Sequence, residues 1–395
     1  MEPTRITMLA PFGIRPKGTL IARMLPLAQA LTAVGMQCVI VAPPIHNPQD
    51  AGSSVDHGGV IVTHTPVARM PGPLGVVELA WAMVAATRAT RPDVVYLFKP
   101  KGHAGLAAAW YCRLFPQTAL VVDCDDREGT GGWNDVLAYP RPARWLFDWQ
   151  ERTLPRRADA VTVASRTLQS LCWADGCTSD AVWYVPNAAD LERAPTVAAD
   201  TAVPRLVLYT RFWEFDSGAV VAALAAVCAR HATVVCDVIG SGENGEETVF
   251  AAACAAAGID TRVVMHGWQQ PDTIPALLAQ AVIAVVPVRD TLINRARCSA
   301  KLLELLAAGL AVVGNDVGET RAFVQHGANG MLVPPDDPVA FADAIVALLD
   351  DPTLLAQLRA GARVSAHTQR WEQRVPAVRA ALAQAVIAAS SRGGR

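Results

Sequence analysis

Short apolar runs rich in β-branched residues alternate along the chain with longer stretches rich in alanine and leucine. In the first half, this pattern predicts strands at residues 6–10, 38–42, 60–63, 94–98, 120–123, 160–164 and 182–185. A helix is predicted from Thr19 to Val34 with Gly35 ending it, and Ser165 is placed to cap another helix. Continuous apolar strands between helices are typical of a parallel sheet covered on both faces. The first half therefore predicts a doubly wound α/β domain.

The same alternation resumes after an irregular segment between Asp190 and Pro204 that has the composition of a linker. Strands are then predicted at residues 206–210, 234–239, 263–266, 283–287, 311–314 and 331–333. Helices are predicted at 219–231, through Cys254 and at 300–308, and Asn329-Gly330 favours a hairpin-like turn. We therefore predict a first domain over residues 1–198, a second over 199–370, and a last helix within 371–395 that returns to the first domain.

Chain length agrees with two domains, because 395 residues are about twice the size of a domain with one core. Ligands of doubly wound sheets bind beyond the carboxyl ends of the strands. Functional side chains are therefore expected in the loops that follow Ala10, Phe98, Asp123, Thr210, Ile239 and Pro287.

Composition and charge exclude several classes of protein. A formal net charge of −2 gives no general attraction to nucleic acid. The apolar runs are shorter than the roughly 18 residues that a membrane-spanning helix needs, and Glu78 interrupts the most apolar helical stretch. The 9 scattered cysteines contain no CxxC pair, which favours reduced thiols and predicts no zinc site. Because the N-terminus also lacks the pattern of a secretory signal, we expect a cytoplasmic protein.

A long segment of the second half resembles the C-terminal domain of family-4 glycosyltransferases. The matching motifs are Lys301-Leu-Leu-Glu304 through Val313, Val317-Gly-Glu319, His326-Gly-Ala-Asn-Gly330, Val333-Pro-Pro-Asp-Asp-Pro338, Arg211, Gly240-Ser-Gly242, His266-Gly-Trp268 and Val185-Pro-Asn187. The first half matches that family only in outline. The resemblance implies the GT-B architecture, two Rossmann-like domains facing each other across a cleft, with a nucleotide-sugar donor held mainly by the second domain.

Lys301 and Glu304 carry a physical argument of their own. They are three residues apart and therefore share one face of the predicted helix. Free N–H groups and the macrodipole at the start of that helix, which Ser299 is placed to cap, favour a bound diphosphate. The lysine adds a positive charge, and the carboxylate can accept hydrogen bonds from ribose hydroxyls. The alternative is an ordinary surface salt bridge. The resemblance extends donor contacts to Arg211, Gly240 and Gly242.

Two departures from the family pattern concern the donor site. A lysine that usually follows the donor arginine is replaced by Ser217-Gly218. Arg295, Arg297 or Lys301 is a candidate to supply the missing charge, because the leaving diphosphate must be neutralised. Of the two glutamates typical of retaining members, the later corresponds to Glu304 and the earlier falls on Ala296. The resemblance thus suggests retention, while inversion stays open.

Cationic and glycine residues follow two predicted strands of the first domain. In related enzymes, the first of these loops brings a glycine turn close to the transferred sugar, and its candidates here are Gly13, Lys17 and Gly18. The second loop sets two cations and a titratable ring at a strand end. We interpret it as acceptor or phosphate contact, against a satisfied buried histidine, through Lys99, Lys101 and His103.

The most polar segment of the chain runs from Asp123 to Asp135. Closely spaced carboxylates raise one another's proton affinity, so one of them could act as a general base toward an acceptor hydroxyl. The candidates for catalysis are Asp125, Asp126 and Glu128, with Trp133 as a candidate sugar contact. A network of caps and turns is the main alternative, and a divalent cation is a third.

These observations predict a glycosyltransferase that needs no metal or other cofactor and moves a sugar to a glycan, lipid-linked or small-molecule acceptor. Peripheral contact with an anionic membrane is a further interpretation of one basic, tryptophan-containing strip, against a solvated helix face. The strip contains Trp145, Trp149, Arg152, Arg156 and Arg157. Two alternatives stay open: a non-hydrolysing sugar-nucleotide epimerase, and a catalytically silent subunit that binds nucleotide sugar.

Overall fold

The computed structural model describes residues 4–15, 18, 20–192, 194 and 203–393. The chain divides into two compact units. The first contains the chain up to Asn187, the short segment Ala296–Cys298 and the chain from Trp371, and the second contains residues 188–295 and 299–370. The units divide at Asn187, ahead of the boundary predicted at residue 198. Residues 193 and 195–202 of the predicted linker lie outside the described residues.

The first unit is built on an eight-stranded sheet with strand order β3-β4-β2-β1-β5-β6-β7-β8. Its strands are β1 (Arg5–Leu9), β2 (Gln37–Ala42), β3 (Ser54–Asp56), β4 (Ile61–His64), β5 (Val94–Phe98), β6 (Ala119–Cys124), β7 (Ala160–Val163) and β8 (Val182–Tyr184). Only β3 runs antiparallel to its neighbour. The strands predicted from apolar runs are confirmed to within one or two residues. The exposed strand β3 was not predicted, because three partly polar residues carry no such pattern.

The helices of this unit cover both faces of the sheet. In chain order they begin with α1 (Leu25–Ala33), α2 (Gly72–Thr90), α3 (Gly102–Leu114), α4 (Trp133–Val136), α5 (Arg141–Arg157) and α6 (Arg166–Ala174). The regular helix predicted from Thr19 is wrong in its first part, since Leu20–Met24 forms a π-helical turn. Pro26 near the start of α1 lacks the backbone N–H that would continue a regular ladder across this point.

The second unit has a six-stranded, all-parallel sheet with strand order β11-β10-β9-β12-β13-β14. Its strands are β9 (Arg205–Tyr209), β10 (Val235–Ile239), β11 (Val263–Gly267), β12 (Ile283–Val286), β13 (Ala311–Asn315) and β14 (Gly330–Val333). Its helices are α7 (Ser217–Arg230), α8 (Glu246–Ala256), α9 (Ile274–Leu278), α10 (Leu292–Ala296), α11 (Ala300–Ala307), α12 (Thr320–Phe323), α13 (Pro338–Asp350) and α14 (Pro352–His367). The last residue of α10 is assigned to the first unit, as is the final helix of the chain, α15 (Val375–Gly393).

The hairpin-like turn predicted at Asn329-Gly330 is wrong. β14 pairs in parallel with β13, and the short helix α12 lies between the two strands. Asn329 instead uses its side chain, because its Nδ2 donates to the carbonyl of Phe323 at 2.8 Å and its Oδ1 accepts from the Gln325 N–H at 2.7 Å. The Asn-Gly pair therefore closes a local loop before a parallel strand, a geometry that the dipeptide alone does not distinguish from a hairpin.

Helix caps agree with the sequence. Ser165 accepts a hydrogen bond from the Leu168 N–H at 3.0 Å at the start of α6, and Ser299 accepts one from the Leu302 N–H at 3.4 Å at the start of α11. Both predicted caps are confirmed.

No helix among the described residues has the length and hydrophobicity needed to cross a lipid bilayer. Since every strand except β3 runs parallel to its neighbours, the loops after these strands gather at one edge of each sheet, where the candidate residues lie.

Candidate active site

A buried ion pair supports the carboxyl end of β6. Arg23, from the π-helical turn, is 1% exposed and donates to Asp123 from Nε at 2.8 Å and from Nη2 at 2.7 Å. The Thr162 hydroxyl also donates to Asp123, at 2.6 Å, while Arg23 donates to the Asn187 side chain and the Val185 carbonyl, each at 3.0 Å. Burial opposes the charge of Arg23, yet the Asp123 carboxylate outweighs it and raises the pKa of the guanidinium. This satisfied pair fixes the strand end from which the acidic loop departs.

Lys99 is the cation at the centre of the acidic loop. It follows β5 with a backbone φ of 57°, which is uncommon for a lysine, and its side chain is 5% exposed. Its Nζ contacts Asp126 closely and lies 3.5 Å from Asp125 Oδ2 and 3.2 Å from Glu128 Oε1. Burial opposes this charge too, but the carboxylates, Asp126 first, raise the pKa of Lys99. One buried ammonium thus holds three carboxylates together.

The two neighbouring aspartates differ in their affinity for a proton. Burial raises the pKa of Asp125 to about 6, although Lys99 acts in the opposite direction. Burial also acts on Asp126, but the charge and hydrogen bond of Lys99, together with Trp133, lower its pKa. When the surroundings separate the pKa values of two neighbouring carboxyl groups, one group stays ionised while the other gains or loses its proton near neutral pH. The structure therefore brings together the two aspartates and the tryptophan singled out in the sequence.

Glu128 and Lys101 form the inner part of the same cluster. Glu128 is 2% exposed, and its second oxygen accepts from Lys101 Nζ at 2.6 Å. The Lys101 ammonium also donates to the Tyr139 hydroxyl at 3.1 Å and lies 4.6 Å and 4.8 Å from the ring centres of Tyr139 and Phe147. Since both Glu128 oxygens face lysines, the geometry favours a positioning role for Glu128, and its catalytic role stays a prediction.

Helix α5 holds the acidic loop from outside. Glu151 accepts hydrogen bonds from the N–H groups of Glu128 and Gly129 at 2.7 and 2.9 Å, and Asp148 accepts from the Thr130 N–H at 2.6 Å. Burial raises the pKa of Glu151 to about 7. The loop thus carries the network of turn contacts that the sequence left open, and this network coexists with the cluster around Lys99.

His103 has a defined structural role. Its Nε2 lies 2.8 Å from the Pro11 carbonyl oxygen, and burial lowers the pKa of the imidazole to about 4. A neutral ring that donates from Nε2 is the form this contact requires. The contact ties α3 to the loop after β1, where the Gly18 carbonyl accepts from the Ala22 N–H at 2.7 Å. The satisfied buried histidine is therefore the interpretation favoured here, and acceptor contact by His103 stays a prediction. Lys17 lies outside the described residues.

In the second unit, a buried glutamate organises the loop after β9. Glu214 is 3% exposed and accepts from the Thr210 hydroxyl at 2.9 Å and from the Arg211 N–H at 3.0 Å. The Arg211 guanidinium itself contacts Glu243, from the loop after β10. Arg211 is thus held at both its backbone and its side chain by carboxylates of the same unit.

Lys301 lies in the first turn of α11 beside this glutamate. Its Nζ is 3.7 Å from Glu214 Oε1 and 5.1 Å from the centre of the Tyr209 ring. Burial, and then the charge of Glu304, raise the pKa of the Tyr209 phenol. Lys301, Glu304 and Arg211 are therefore brought together at the carboxyl end of β9. The start of α11, capped by Ser299, belongs to the same group.

The two glycines after β10 allow close approach of backbone segments. Gly240 has a φ of 126°, and a Cβ there would overlap the carbonyl oxygen of Thr210. A Cβ on Gly242 would overlap the Glu246 carboxylate, and the Gly242 N–H donates to Glu247 at 2.8 Å. The glycines thus shape the loop beside Arg211, while contact with a nucleotide stays a prediction.

Replacing Gly240 by alanine is expected to lower the free energy of unfolding by about 2 to 4 kcal/mol, because a Cβ forces both an unfavourable φ and a displacement of Thr210. Urea unfolding measures the loss. The matched control is Gly258→Ala, since Gly258 also has a positive φ, 69°, but no atom lies within 4 Å of the position that its Cβ would take. We expect a loss of about 1 kcal/mol for the control. Equal losses for both variants would contradict the role of Thr210.

The segment Ala296–Cys298 belongs to the first unit. The Ala296 carbonyl accepts from the Ser165 hydroxyl at 2.5 Å, and the Cys298 carbonyl accepts from the Asn187 side chain at 2.6 Å. Ala296 is fully buried, so the position that carries a glutamate in retaining relatives is here part of a core. The charge of Arg297 contributes to the lowered pKa of Asp126. Arg297 is thus linked to the acidic loop, whereas Arg295 is paired with Asp290.

Four residues that organise these sites were not predicted from the sequence. They are Arg23, Glu151, Glu214 and Glu243. Arg23 had a usable signal, because a lone arginine inside an apolar helical run must find a buried partner. The three glutamates had no such signal, since acidic residues in loops and on amphipathic helices are usually solvated. Within the described part of the chain, no three histidine, cysteine, aspartate or glutamate side chains are arranged to hold a metal ion.

Family models match both units. Residues 18–188 match the glycosyl transferase 4-like domain, and residues 204–351 match glycosyl transferases group 1. A phosphatidyl-myo-inositol mannosyltransferase of Mycobacterium leprae is 25% identical over 379 residues, which are 93% of each chain. A D-inositol 3-phosphate glycosyltransferase of Xylanimonas cellulosilytica is 30% identical over 151 residues, 38% of this chain and 35% of that protein. That alignment therefore spans only about a third of the curated relative.

Solved structures share the whole fold. Sucrose-phosphate synthase from Thermosynechococcus elongatus has a TM-score of 0.72 at 18% identity, covering 94% of this chain and 96% of that one. HepE of Anabaena, solved with UDP and glucose, has a TM-score of 0.71 at 17% identity, with coverage of 94% and 98%. The chain belongs to the group 1 glycosyltransferases of family 4 and has the GT-B fold, as the sequence motifs predicted.

Proposed function

We propose that this chain transfers a sugar from a nucleotide-sugar donor to a hydroxyl group of a glycan, lipid-linked or small-molecule acceptor. Family membership supports the reaction type. The relatives include an inositol-phosphate glycosyltransferase, a phosphatidyl-inositol mannosyltransferase and a 2-deoxystreptamine glucosyltransferase, whose named acceptors are all ring polyols or their derivatives. HepE was solved with UDP-glucose. A nucleoside diphosphate handle and a hydroxyl-rich ring are therefore the chemical classes we assign to donor and acceptor.

The grouping of Arg211 and Lys301 around Glu214 is the observation that carries this proposal. Two cations and a capped helix start at one sheet edge suit a diphosphate, whose charge grows as the glycosidic bond breaks. Glu214 holds the Arg211 backbone and lies near the Lys301 ammonium, and Glu243 holds the Arg211 guanidinium, so both cations are positioned before the donor binds. A diphosphate at this edge would take the place of Glu243 as the partner of Arg211. We propose that this arrangement performs the role that a divalent cation performs in other transferases, and that no cofactor is required.

For the first unit, we propose that the cluster around Lys99 binds the acceptor and the transferred sugar. Asp126 is the more accessible carboxylate, with 18% of its side chain exposed, and Lys99 keeps it ionised. Asp125 titrates closer to neutral pH and is the candidate base toward the acceptor hydroxyl. Retention of configuration is proposed from the family. A lipid-linked acceptor would also require peripheral contact with a membrane surface.

Lys301→Ala and Glu304→Ala are each expected to weaken donor binding by about 1 to 3 kcal/mol, the usual cost of a lost hydrogen bond to a charged group. Calorimetric titration with UDP and GDP measures the change, after a thermal-shift screen of common nucleotide sugars has chosen the base. Arg230→Ala is the control, because Arg230 is an exposed cation of the same unit that pairs with Asp343. Unchanged affinity in both variants would show that the donor site is misplaced.

Incubation with donor alone distinguishes the proposed transferase from an epimerase. A transferase releases nucleoside diphosphate slowly without acceptor and rapidly with it, whereas an epimerase interconverts the sugar without any acceptor. Nuclear magnetic resonance of the anomeric proton in the product reports retention or inversion. Donor binding without turnover on any polyol or lipid-linked acceptor would instead support the silent subunit.

A further inference from the structure

Helices α2, α3 and α5 form one layer on the same face of the first sheet. α2 packs against α3, and α3 packs against α5. They lie in the order of the strands they serve, since α2 leads into β5, α3 joins β5 to β6, and α5 follows β6. The outward sides of the three helices therefore make up one continuous surface, which we call the α2–α3–α5 face.

The α2–α3 part of this face is apolar. Leu74, Val77 and Trp81 follow each other at helical spacing on α2 and are 62%, 40% and 49% exposed. Trp81 stacks on Trp110 of α3 with 5.0 Å between ring centres, and Leu114 on α3 is 54% exposed. Single exposed apolar side chains are normal, but four neighbouring ones, with the half-buried Trp110 stacked on one of them, mark an interaction surface.

The α5 part of the face is basic and aromatic. Four exposed residues lie four, seven and four positions apart and therefore share one side of the helix: Arg141, Trp145, Arg152 and Arg156. Trp145 is 68% exposed. Of the strip that the sequence singled out on this helix, Trp145, Arg152, Arg156 and Arg157 are exposed, whereas Trp149 is half-buried.

Charge on the α2–α3–α5 face is one-sided. The three helices contain seven arginines and three acidic residues. All three acidic side chains are engaged by backbone N–H groups: Glu78 by Arg69 and Met70, Asp148 by Thr130, and Glu151 by Glu128 and Gly129. These hydrogen bonds hold the carboxylates but leave their charge, so the seven arginines and three carboxylates give the three helices a formal net charge of +4. Of the seven arginines, Arg144 is paired with Asp135 of α4.

We propose that the α2–α3–α5 face docks on the surface of an anionic lipid bilayer. Tryptophan and leucine side chains enter the interface between headgroups and acyl chains, and arginines attract anionic headgroups. A second copy of the chain fits this face less well, because two copies would bring fourteen arginines together, seven from each. Charge complementarity therefore selects the lipid surface. The inner side of α5 holds the acidic loop through Glu151, so docking would bring the candidate acceptor site to the membrane.

Vesicle co-sedimentation tests the proposal with the full chain and without donor or acceptor, so its outcome is independent of the transfer reaction. We expect binding to vesicles that contain phosphatidylglycerol, weak binding to phosphatidylcholine alone, and loss of binding at high salt. Arg152→Gln with Arg156→Gln is expected to lower the partition coefficient by roughly 10- to 30-fold. Leu74→Ser with Trp81→Ser is expected to lower it by at least about 10-fold.

Matched controls are Arg230→Gln, an exposed arginine of the second unit, and Val364→Ser, which removes an apolar side chain that is 67% exposed on α14. Both controls should bind vesicles as the unchanged protein does, and circular dichroism checks the folding of every variant. Absent binding, equal binding to both vesicle types, or unaltered binding by both double variants would overturn the proposal. A dimer in sedimentation equilibrium that the Leu74 and Trp81 changes dissociate would assign the face to a second copy instead.

Discussion

Replacing Asp123 by alanine is expected to lower the free energy of unfolding by about 3 to 5 kcal/mol, the largest loss of stability predicted for a single side chain here. Asp123 is completely buried and accepts three hydrogen bonds, two from Arg23 and one from Thr162. Without it, Arg23 keeps its charge in a place that water does not reach. The remaining hydrogen-bond partners of Arg23, an amide oxygen and a carbonyl oxygen, carry no negative charge. The carboxylate of Asp125, whose Oδ1 lies 3.6 Å from Arg23 Nε, would replace the lost pair only in part.

Urea unfolding followed by circular dichroism measures this effect. The control is Asp343→Ala, because Asp343 also pairs with an arginine, Arg230, but both side chains are exposed, at 53% and 52%. Surface pairs of that kind contribute about 0 to 1 kcal/mol. A second comparison replaces both buried partners, Arg23→Met with Asp123→Leu, and should recover much of the stability. A loss for Asp123→Ala no larger than that of Asp343→Ala would contradict the structural role of the buried pair.

The sequence predicted the sheets well and the side-chain partners poorly. Apolar β-branched runs such as Val94–Phe98 are strands in any parallel sheet, so their positions follow from local pattern. Ser165 and Ser299 were predictable caps, because an N-cap depends on the three residues that follow it. The hairpin-like turn predicted at Asn329-Gly330 was wrong, since the same dipeptide occurs both in hairpins and in loops that precede a parallel strand. Which of these forms depends on the pairing of distant strands.

The candidate sites show the same difference between features that a local motif predicts and contacts that depend on distant parts of the chain. Lys301 and Glu304 were recognisable because a local motif carries them, and the structure places both at the expected sheet edge beside Arg211. The burial of Lys99 and its three carboxylate partners could not be read from the sequence, since it depends on how β5 and β6 lie side by side. His103 looked like a free titratable ring, and only the position of the Pro11 carbonyl shows that it has a partner.

Asp125→Asn is expected to lower kcat by about 100- to 10,000-fold, the usual contribution of a general base. Asparagine has nearly the same shape but cannot take the proton from an acceptor hydroxyl. Steady-state release of nucleoside diphosphate, with acceptor present, measures the change. Asp180→Asn is the control, because Asp180 is an exposed carboxylate of the same unit. Activity within about twofold of the unchanged protein for Asp125→Asn would remove the proposed base.

The same variant should gain stability, which separates it from Asp123→Ala two residues away. Burial raises the pKa of Asp125 to about 6, against an ordinary value of 3.8, so the folded state holds its proton more tightly than the unfolded state. The contribution of Asp125 to stability therefore falls as pH rises from about 4 to about 6 and is constant above that. The Asp125→Asn variant has no carboxylate at this position, so its stability does not fall in this way as the pH rises. Its Tm should exceed that of the unchanged protein at pH 7.5, and the difference should shrink as the pH is lowered from 6 to 4.

Activity should rise with pH over the range in which stability falls, because the proposed base must be ionised to accept a proton. In the unchanged protein, kcat/KM is expected to fall about tenfold for each pH unit below about 6, where Asp125 becomes protonated. The residual activity of Asp125→Asn should not show that step. The ionised carboxylate thus lowers stability at the pH where it supports the reaction, as expected when a buried charge serves function rather than folding. A variant that loses both activity and stability at pH 7.5 would instead assign Asp125 to the structural network around Lys99.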